Sequence, residues 1–230
     1  MFQTGNDRFA ELLGKTMFND SWLKLLQQNR AIAVIRANKI ELGCQMAKAV
    51  AAGGMQLIEV TWNSDRPAEL IAQLRRELPT CTIGTGTILT LEQLQQAIAS
   101  GAQFLFTPHV DSVLIQAAVA RGIPIVPGAL SPTEIVTAWM AGASCVKVFP
   151  VQALGGTSYI KSLQAPLGNI PLIPTGGVTL ENAKEFIAAG AIAVGLSGQL
   201  FPKNFIEAEN WEAIAQLAKT LMLGVGSRES

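Results

Sequence analysis

The helices of this chain end again and again on one kind of junction: Ala52-Gly53-Gly54, Ser100-Gly101-Ala102, Ala141-Gly142-Ala143 and Ala189-Gly190-Ala191. A glycine just past a helix closes it without a Cβ penalty, and a short apolar run follows each junction here. The chain therefore reads as a repeating unit of strand, helix and glycine turn. Strands are expected at Ile32–Arg36, Leu57–Thr61, Thr82–Gly86, Phe104–Pro108, Pro124–Gly128, Ser144–Pro150, Leu172–Thr175 and Ile192–Leu196. Helices are expected at Glu41–Ala52, Pro67–Leu78, Leu91–Ala99, Asp111–Ala120, Thr133–Met140, Ser158–Gln164, Glu181–Ala188 and Glu209–Leu223. Strict alternation argues for a parallel sheet with helices outside it, and eight units closing on themselves give a (β/α)8 TIM barrel. The doubly wound open sheet is the alternative, but no Gly-x-Gly-x-x-Gly turn follows the first strand.

No linker or shift in composition divides the 230 residues, so residues 1–230 read as a single barrel domain. An amphipathic helical extension over about residues 1–29 precedes it, with Phe9, Leu12 and Leu13 and then Trp22, Leu25 and Leu26 as its apolar positions. It is expected to pack on the outside of the domain.

Charge narrows the function. Seventeen basic residues balance 17 acidic ones with no block of either sign, so nucleic acid and membrane surfaces have no support as partners. Cys44, Cys81 and Cys145 are far apart in apolar surroundings, and His109 is the one histidine. A disulfide framework and a metal site are both disfavoured, and a reducing cytoplasm is the expected setting. The early residues are polar and acidic rather than signal-like, and no apolar run approaches a membrane span.

Chemistry is concentrated where a barrel of this kind carries its active site, at the carboxyl ends of the strands. Lys147 interrupts an apolar strand, where a charged ammonium would have to be desolvated. It is either a structural lysine with a carboxylate partner or a catalytic amine. By the strand period of two, Cys145, Lys147 and Phe149 share one face, and so do Leu57, Glu59 and Thr61. Strands 2 and 6 lie opposite each other and feed the same interior layer, so Glu59 and Lys147 can converge across the mouth, as a buried ion pair or as a catalytic pair. Arg36 and Thr87 stand at the ends of strands 1 and 3. Thr175-Gly176-Gly177 and Ser197-Gly198 end strands 7 and 8, where glycines allow backbone N–H groups to approach a phosphate. Phe149 packs against substrate or fills the layer, and Trp62 is read as packing.

Taken as an ordered set, these residues resemble the KDPG aldolase / 4-hydroxy-2-oxoglutarate aldolase family of class I lyases. The likeness runs from about Ala31 to Leu200. It rests on Val34-Ile35-Arg36-Ala37, Ile58-Glu59-Val60-Thr61, Gly84-Thr85-Gly86-Thr87, Thr107-Pro108-His109, Val126-Pro127-Gly128, Lys147-Val148-Phe149-Pro150 and Pro174-Thr175-Gly176-Gly177-Val178. The resemblance implies that Lys147 is the Schiff-base lysine and Glu59 the general acid/base. Thr87 would hold the pyruvate portion, the Gly176-Gly177 region with Ser197 and Gly198 the phosphate, and Pro108, Phe149 and Thr175 would complete the substrate site. It also implies a phosphorylated 2-keto acid as substrate, pyruvate as product, a place in the Entner-Doudoroff route, no cofactor and a homotrimer.

Two departures bear on substrate. Many members carry arginine four residues after the glutamate, where this chain has Asn63; Arg36 at the end of strand 1 is expected to take over the anion. The strand 8 end reads Ser197-Gly198 where Gly-Ser is frequent. Thr175 resembles gluconate-type members, and asparagine at position 63 also occurs in galactonate-type ones. The expected reaction is cleavage of 2-dehydro-3-deoxy-6-phosphogluconate to pyruvate and glyceraldehyde 3-phosphate. The alternatives are a 4-hydroxy-2-oxoglutarate or phosphogalactonate-type aldolase, a metal-dependent aldolase (which a histidine-poor chain argues against), and a barrel that binds a keto acid or sugar phosphate without turning it over.

Overall fold

The computed structural model of the chain describes residues 20–226. It opens with a helix over residues 20–29 (α1) and then alternates. The first half runs β1 (Ala31–Ile35), α2 (Ile40–Ala52), β2 (Leu57–Thr61), α3 (Pro67–Glu77), β3 (Thr82–Gly86), α4 (Leu91–Ala99), β4 (Leu105–Thr107) and α5 (Ser112–Val119). The second half runs β5 (Ile125–Ala129), α6 (Pro132–Met140), β6 (Val146–Val148), α7 (Thr157–Leu167), β7 (Leu172–Pro174), α8 (Ala183–Ala188) and β8 (Val194–Leu196). Helices α9 (Lys203–Glu207) and α10 (Trp211–Gly226) follow.

All the strands are parallel, in the spatial order β7-β6-β5-β4-β3-β2-β1-β8. The two ends of that sheet meet at a parallel bridge between Thr175 and Gly195, which closes it into a (β/α)8 barrel. The helices start on local signals. The Asp111 side chain accepts from the Val113 N–H at 2.7 Å to cap α5. Ser131 and Glu134 form a reciprocal capping box at α6, with Pro132 in the first turn. Helix α8 begins later than its apolar pattern suggests. The Thr179 N–H donates to Asn182 Oδ1 at 2.7 Å and the Asn182 N–H to Thr179 Oγ1 at 3.2 Å, which holds 179–182 as a turn. Two short elements were not expected, α9 and a 3₁₀ turn at Val151–Leu154; each is too short to show a helical period.

The core has two parts. One lies between the sheet and the helix ring. The other fills the barrel interior at the amino ends of the strands, where Ile32, Leu57, Phe104, Phe106, Val126, Cys145, Ile173 and Ala193 converge. Helix α1 belongs to this second cluster, which corrects the expectation that it packs on the outside of the domain. Trp22 and Leu26 are 4% and 0% exposed and stopper the bottom of the barrel, with the Trp22 ring 5.1 Å from that of Phe104. The reason is physical: a barrel open at its amino end leaves a layer of apolar side chains facing water, and an amphipathic helix buries them. The Trp22 indole N–H is buried in this layer without a hydrogen-bond acceptor among the described residues. The expected helical positions Phe9, Leu12 and Leu13 lie outside the described residues.

If α1 is the stopper, Trp22→Ala removes a large aromatic from a closed interior layer. The expected loss is about 3–5 kcal/mol of unfolding free energy in a denaturant titration. A loss near zero would mean that the helix merely rests on the barrel.

Candidate active site

The carboxyl ends of the strands surround a cavity of about 550 Å³. β1, β2 and β6 deliver side chains to it by alternation, and the residues after β3, β4, β7 and β8 close its rim. On β2, Leu57 faces the lower interior while Glu59 and Thr61 face the cavity. On the β6 segment Cys145 faces down, and Lys147 and Phe149 line the cavity. On β1 the same step places Ile32 below and Val34 above, with Arg36 just past the strand end. Arg36, Glu59, Thr87, Pro108, Lys147, Phe149, Thr175, Gly176, Gly177, Ser197 and Gly198 all line this one cavity. Val34, Thr61, Val178, Thr179, Gly195 and Gln199 complete its wall. A depression of similar size, about 540 Å³, lies at the opposite end between α1, α8 and α10, but it contains neither a buried acid nor a buried amine.

Glu59 and Lys147 are 3% and 8% exposed. Burial pushes the Glu59 carboxyl up from its ordinary value, opposed more weakly by the positive charges of Lys147 and Arg36. Burial pushes the Lys147 amine down, opposed by Glu59 and assisted by Arg36. Both groups are thus driven toward their neutral forms. Among the described residues the ion pairs lie on the surface, such as Lys48–Glu77 at 2.8 Å, and none joins Glu59 to Lys147. The Lys147 Nζ instead sits 4.5 Å from the centre of the Phe149 ring.

The strand ends are laced together. The Ala37 N–H donates to Ser64 Oγ at 3.2 Å, and Ser64 Oγ pairs with Thr61 Oγ1 at 3.3 Å. The Asp65 N–H donates to the Ala37 carbonyl at 2.8 Å. The residue after Arg36 is therefore tied to the loop after β2. On the far side, the N–H groups of Val151 and Gln152 donate to the carbonyls of Thr175 and Gly176, each at 3.0 Å. Gly177 has φ +99°, and a Cβ there would strike the Gln152 side chain, so both backbone shape and space require glycine. Thr87 has φ 62°, an unfavourable conformation for a β-branched residue, and strain of this sort clusters at functional sites.

The cations separate clearly. Arg36 lines the cavity. Asn63 is exposed and outside its wall. Arg66 is occupied on the surface, 3.2 Å from Glu69 and 3.5 Å from Asp65. His109 lines a neighbouring depression of about 340 Å³, which shares Pro108 and Phe149 with the main cavity. Trp62 packs against the outer core. Among the described residues no group of three or more His, Cys, Asp or Glu side chains converges as metal ligands. Several participants were not singled out as site residues from sequence, among them Gln199, Ser64 and Gly86. Gln199 follows a strand end and carried no signal beyond that. The Ser64 clamp could have been suspected from its place in the loop after β2. The contact of Gly86 with Glu59 has no local signal at all.

The family model for KDPG and KHG aldolases matches residues 23–217. The chain belongs to the KDPG and KHG aldolase family. It is a carbon–carbon lyase of the aldolase type. It is 35% identical over 201 residues to the 2-dehydro-3-deoxy-phosphogluconate aldolase of Treponema pallidum, covering 87% of this chain and 96% of that one. It is 30% identical over 200 residues to the KHG/KDPG aldolase of Escherichia coli K12, covering 87% and 94%. Among solved structures it resembles the KDPG aldolase from Legionella pneumophila, in which pyruvate was captured as a covalent carbinolamine. That likeness has a TM-score of 0.79 at 28% identity and covers 85% of this chain and 95% of that one.

The electrostatics of this cavity can be tested directly. Because the Glu59 carboxylate raises the proton affinity of Lys147, Glu59→Gln should lower the Lys147 titration midpoint. An NMR titration of isotope-labelled lysine side chains reads it. A midpoint that stays or rises in the variant would mean that the two groups do not share a field.

Proposed function

We propose that the protein cleaves 2-dehydro-3-deoxy-6-phosphogluconate to pyruvate and glyceraldehyde 3-phosphate, with Lys147 as the covalent nucleophile and Glu59 as the proton shuttle. The observation that carries this reading is a buried amine and a buried carboxyl in one cavity, each driven toward neutrality. A neutral amine is a nucleophile, and a carboxyl group with raised proton affinity can both take and return a proton near neutral pH.

The reaction follows from those two properties. The Lys147 amine adds to the C2 carbonyl of the keto acid, and the carbinolamine takes a proton from the Glu59 carboxyl and loses water, giving an iminium and leaving Glu59 as a carboxylate. Glu59 removes the proton of the C4 hydroxyl as the C3–C4 bond breaks. The bonding electrons pass into the iminium, leaving an enamine of pyruvate, and the aldehyde departs. Glu59 returns its proton to C3, and water hydrolyses the resulting imine to pyruvate and the free lysine. A positioned general acid/base typically contributes about 10²–10⁴-fold to such a step.

The remaining wall holds the substrate. Thr87 faces the keto-acid end, the apolar faces of Pro108 and Phe149 flank the carbon chain, and Thr175, Gly176, Gly177, Ser197 and Gly198 meet the phosphate. Arg36 supplies the cation that Asn63 lacks. We place the whole chain in one barrel domain that works as a cytoplasmic homotrimer. The three free, buried cysteines are consistent with a reducing compartment. The apolar side chains of Val113, Val136 and Met140, 62%, 39% and 79% exposed, offer a surface for self-association. Among the described residues no helix is long and apolar enough to cross a membrane.

Steady-state kinetics on the phosphogluconate substrate, its galactonate epimer and 4-hydroxy-2-oxoglutarate tests the substrate. The expected order has the phosphogluconate compound first in kcat/KM; preference for either of the others reassigns the substrate within the family. Charge-assisted contacts are worth about 1.5–3 kcal/mol each, so Arg36→Ala should lower kcat/KM by roughly 10–10²-fold. Arg36→Lys should recover only part of it, since a point charge cannot reproduce a bidentate fork. Unchanged kinetics in Arg36→Ala would remove Arg36 from substrate binding.

A further inference from the structure

Position 86 stands directly beside the Glu59 carboxyl. A Cβ built on Gly86 would overlap Glu59 Oε1 and lie 2.5 Å from Cδ and 3.1 Å from Cγ. No van der Waals adjustment absorbs an overlap of that size, so a side chain at 86 and the present place of the carboxyl are mutually exclusive. The backbone around Gly86 is fixed on both sides. Gly86 pairs in register with Thr61, and its carbonyl accepts from the Trp62 N–H at 2.7 Å. Next in the chain is Thr87, in the left-handed region with φ 62°. β3 thus cannot retreat from β2 to make room. Gly86 itself does not line the cavity, and its own φ is not in the region that calls for glycine. What requires a glycine there is the carboxyl.

We propose that Gly86 is a positioning residue for the aldol reaction, its missing side chain forming the niche that holds the Glu59 carboxyl at its working place in the barrel mouth. This rests on Glu59 being the proton shuttle. The niche faces a carboxyl on a flexible three-carbon stem, buried at 3% exposure with no ion-pair partner among the described residues to fix it. Shape therefore does for Glu59 what a hydrogen-bonding partner does for other catalytic acids. Adding one methyl at 86 displaces the carboxyl without altering its chemistry, and a displacement on the scale of 1 Å can cost about 10²-fold in rate.

The test is a cycle of variants with two readouts, substrate cleavage and borohydride trapping of pyruvate on Lys147. Gly86→Ala should keep the trapped adduct close to the wild-type amount while cleavage, and exchange of the pyruvate methyl protons, fall by about 10²-fold or more. In a Glu59→Gln background, Gly86→Ala should lower the residual cleavage by less than about threefold. The glutamine meets the same obstruction, but no working carboxylate is left to misplace, so the two losses do not add. Wild-type cleavage in Gly86→Ala overturns the proposal, as does a full further loss in the Glu59→Gln background. If Gly86→Ala does not fold, Gly86→Ala with Glu59→Ala removes the obstruction and should restore both the fold and the pyruvate adduct. Failure of that double variant would assign Gly86 a backbone role instead. The underlying reading fails separately, if the wild-type protein itself forms no adduct on Lys147.

Discussion

An amine inside an apolar strand is the constraint on which this structure turns. Lys147 sits on β6 with Val146 and Val148 buried beside it and Cys145 and Ile173 below. Burying an ammonium ion there is costly, and the cost is reduced by giving up the proton. The parallel barrel makes that environment possible. Its strands are covered by helices outside and by packed layers inside, so a side chain at the carboxyl end meets a dry floor and a polar rim. Opposite it, Glu59 is pressed toward its neutral form by the same burial. One physical cause, desolvation at the barrel mouth, thus drives both the amine and the carboxyl toward their neutral forms, the states that the proposed nucleophile and proton carrier need.

The support for that mouth comes from below and from the sides. Trp22 and Leu26 close the amino end and keep water out of the lower layer. Ser64 ties the end of β1 to the loop after β2, and the turn after β6 is hydrogen-bonded to the end of β7. Catalytic side chains on strands and binding groups on short, tethered loops are a common division of labour in barrels.

Much of this was legible in the chain. Glycine closures after the helices mark the units, so strands such as Leu57–Thr61 and Thr82–Gly86 are readable to the residue. Period-two alternation then places Glu59, Lys147 and Phe149 on inner faces, and barrel topology sends them to one end. What escaped depends on contacts between distant segments. The amphipathic pattern of residues 20–29 declares an apolar face but not which apolar surface covers it, so its place under the barrel was not foreseen. The turn at 179–182 replaces the start of a helix through two local side-chain bonds that compete with the helical pattern. Nothing around Gly86 announces that a glutamate from the neighbouring strand needs its space, and nothing around Thr87 announces a left-handed backbone.

The central claim is that Lys147 is the amine that becomes covalently bound to the keto acid. Borohydride reduction in the presence of pyruvate, followed by peptide mass spectrometry, tests it most directly. The account predicts a pyruvate-derived mass increment on the peptide that contains Lys147, and on no other lysine peptide. An increment on a different lysine, or none from enzyme that still cleaves substrate, would contradict it.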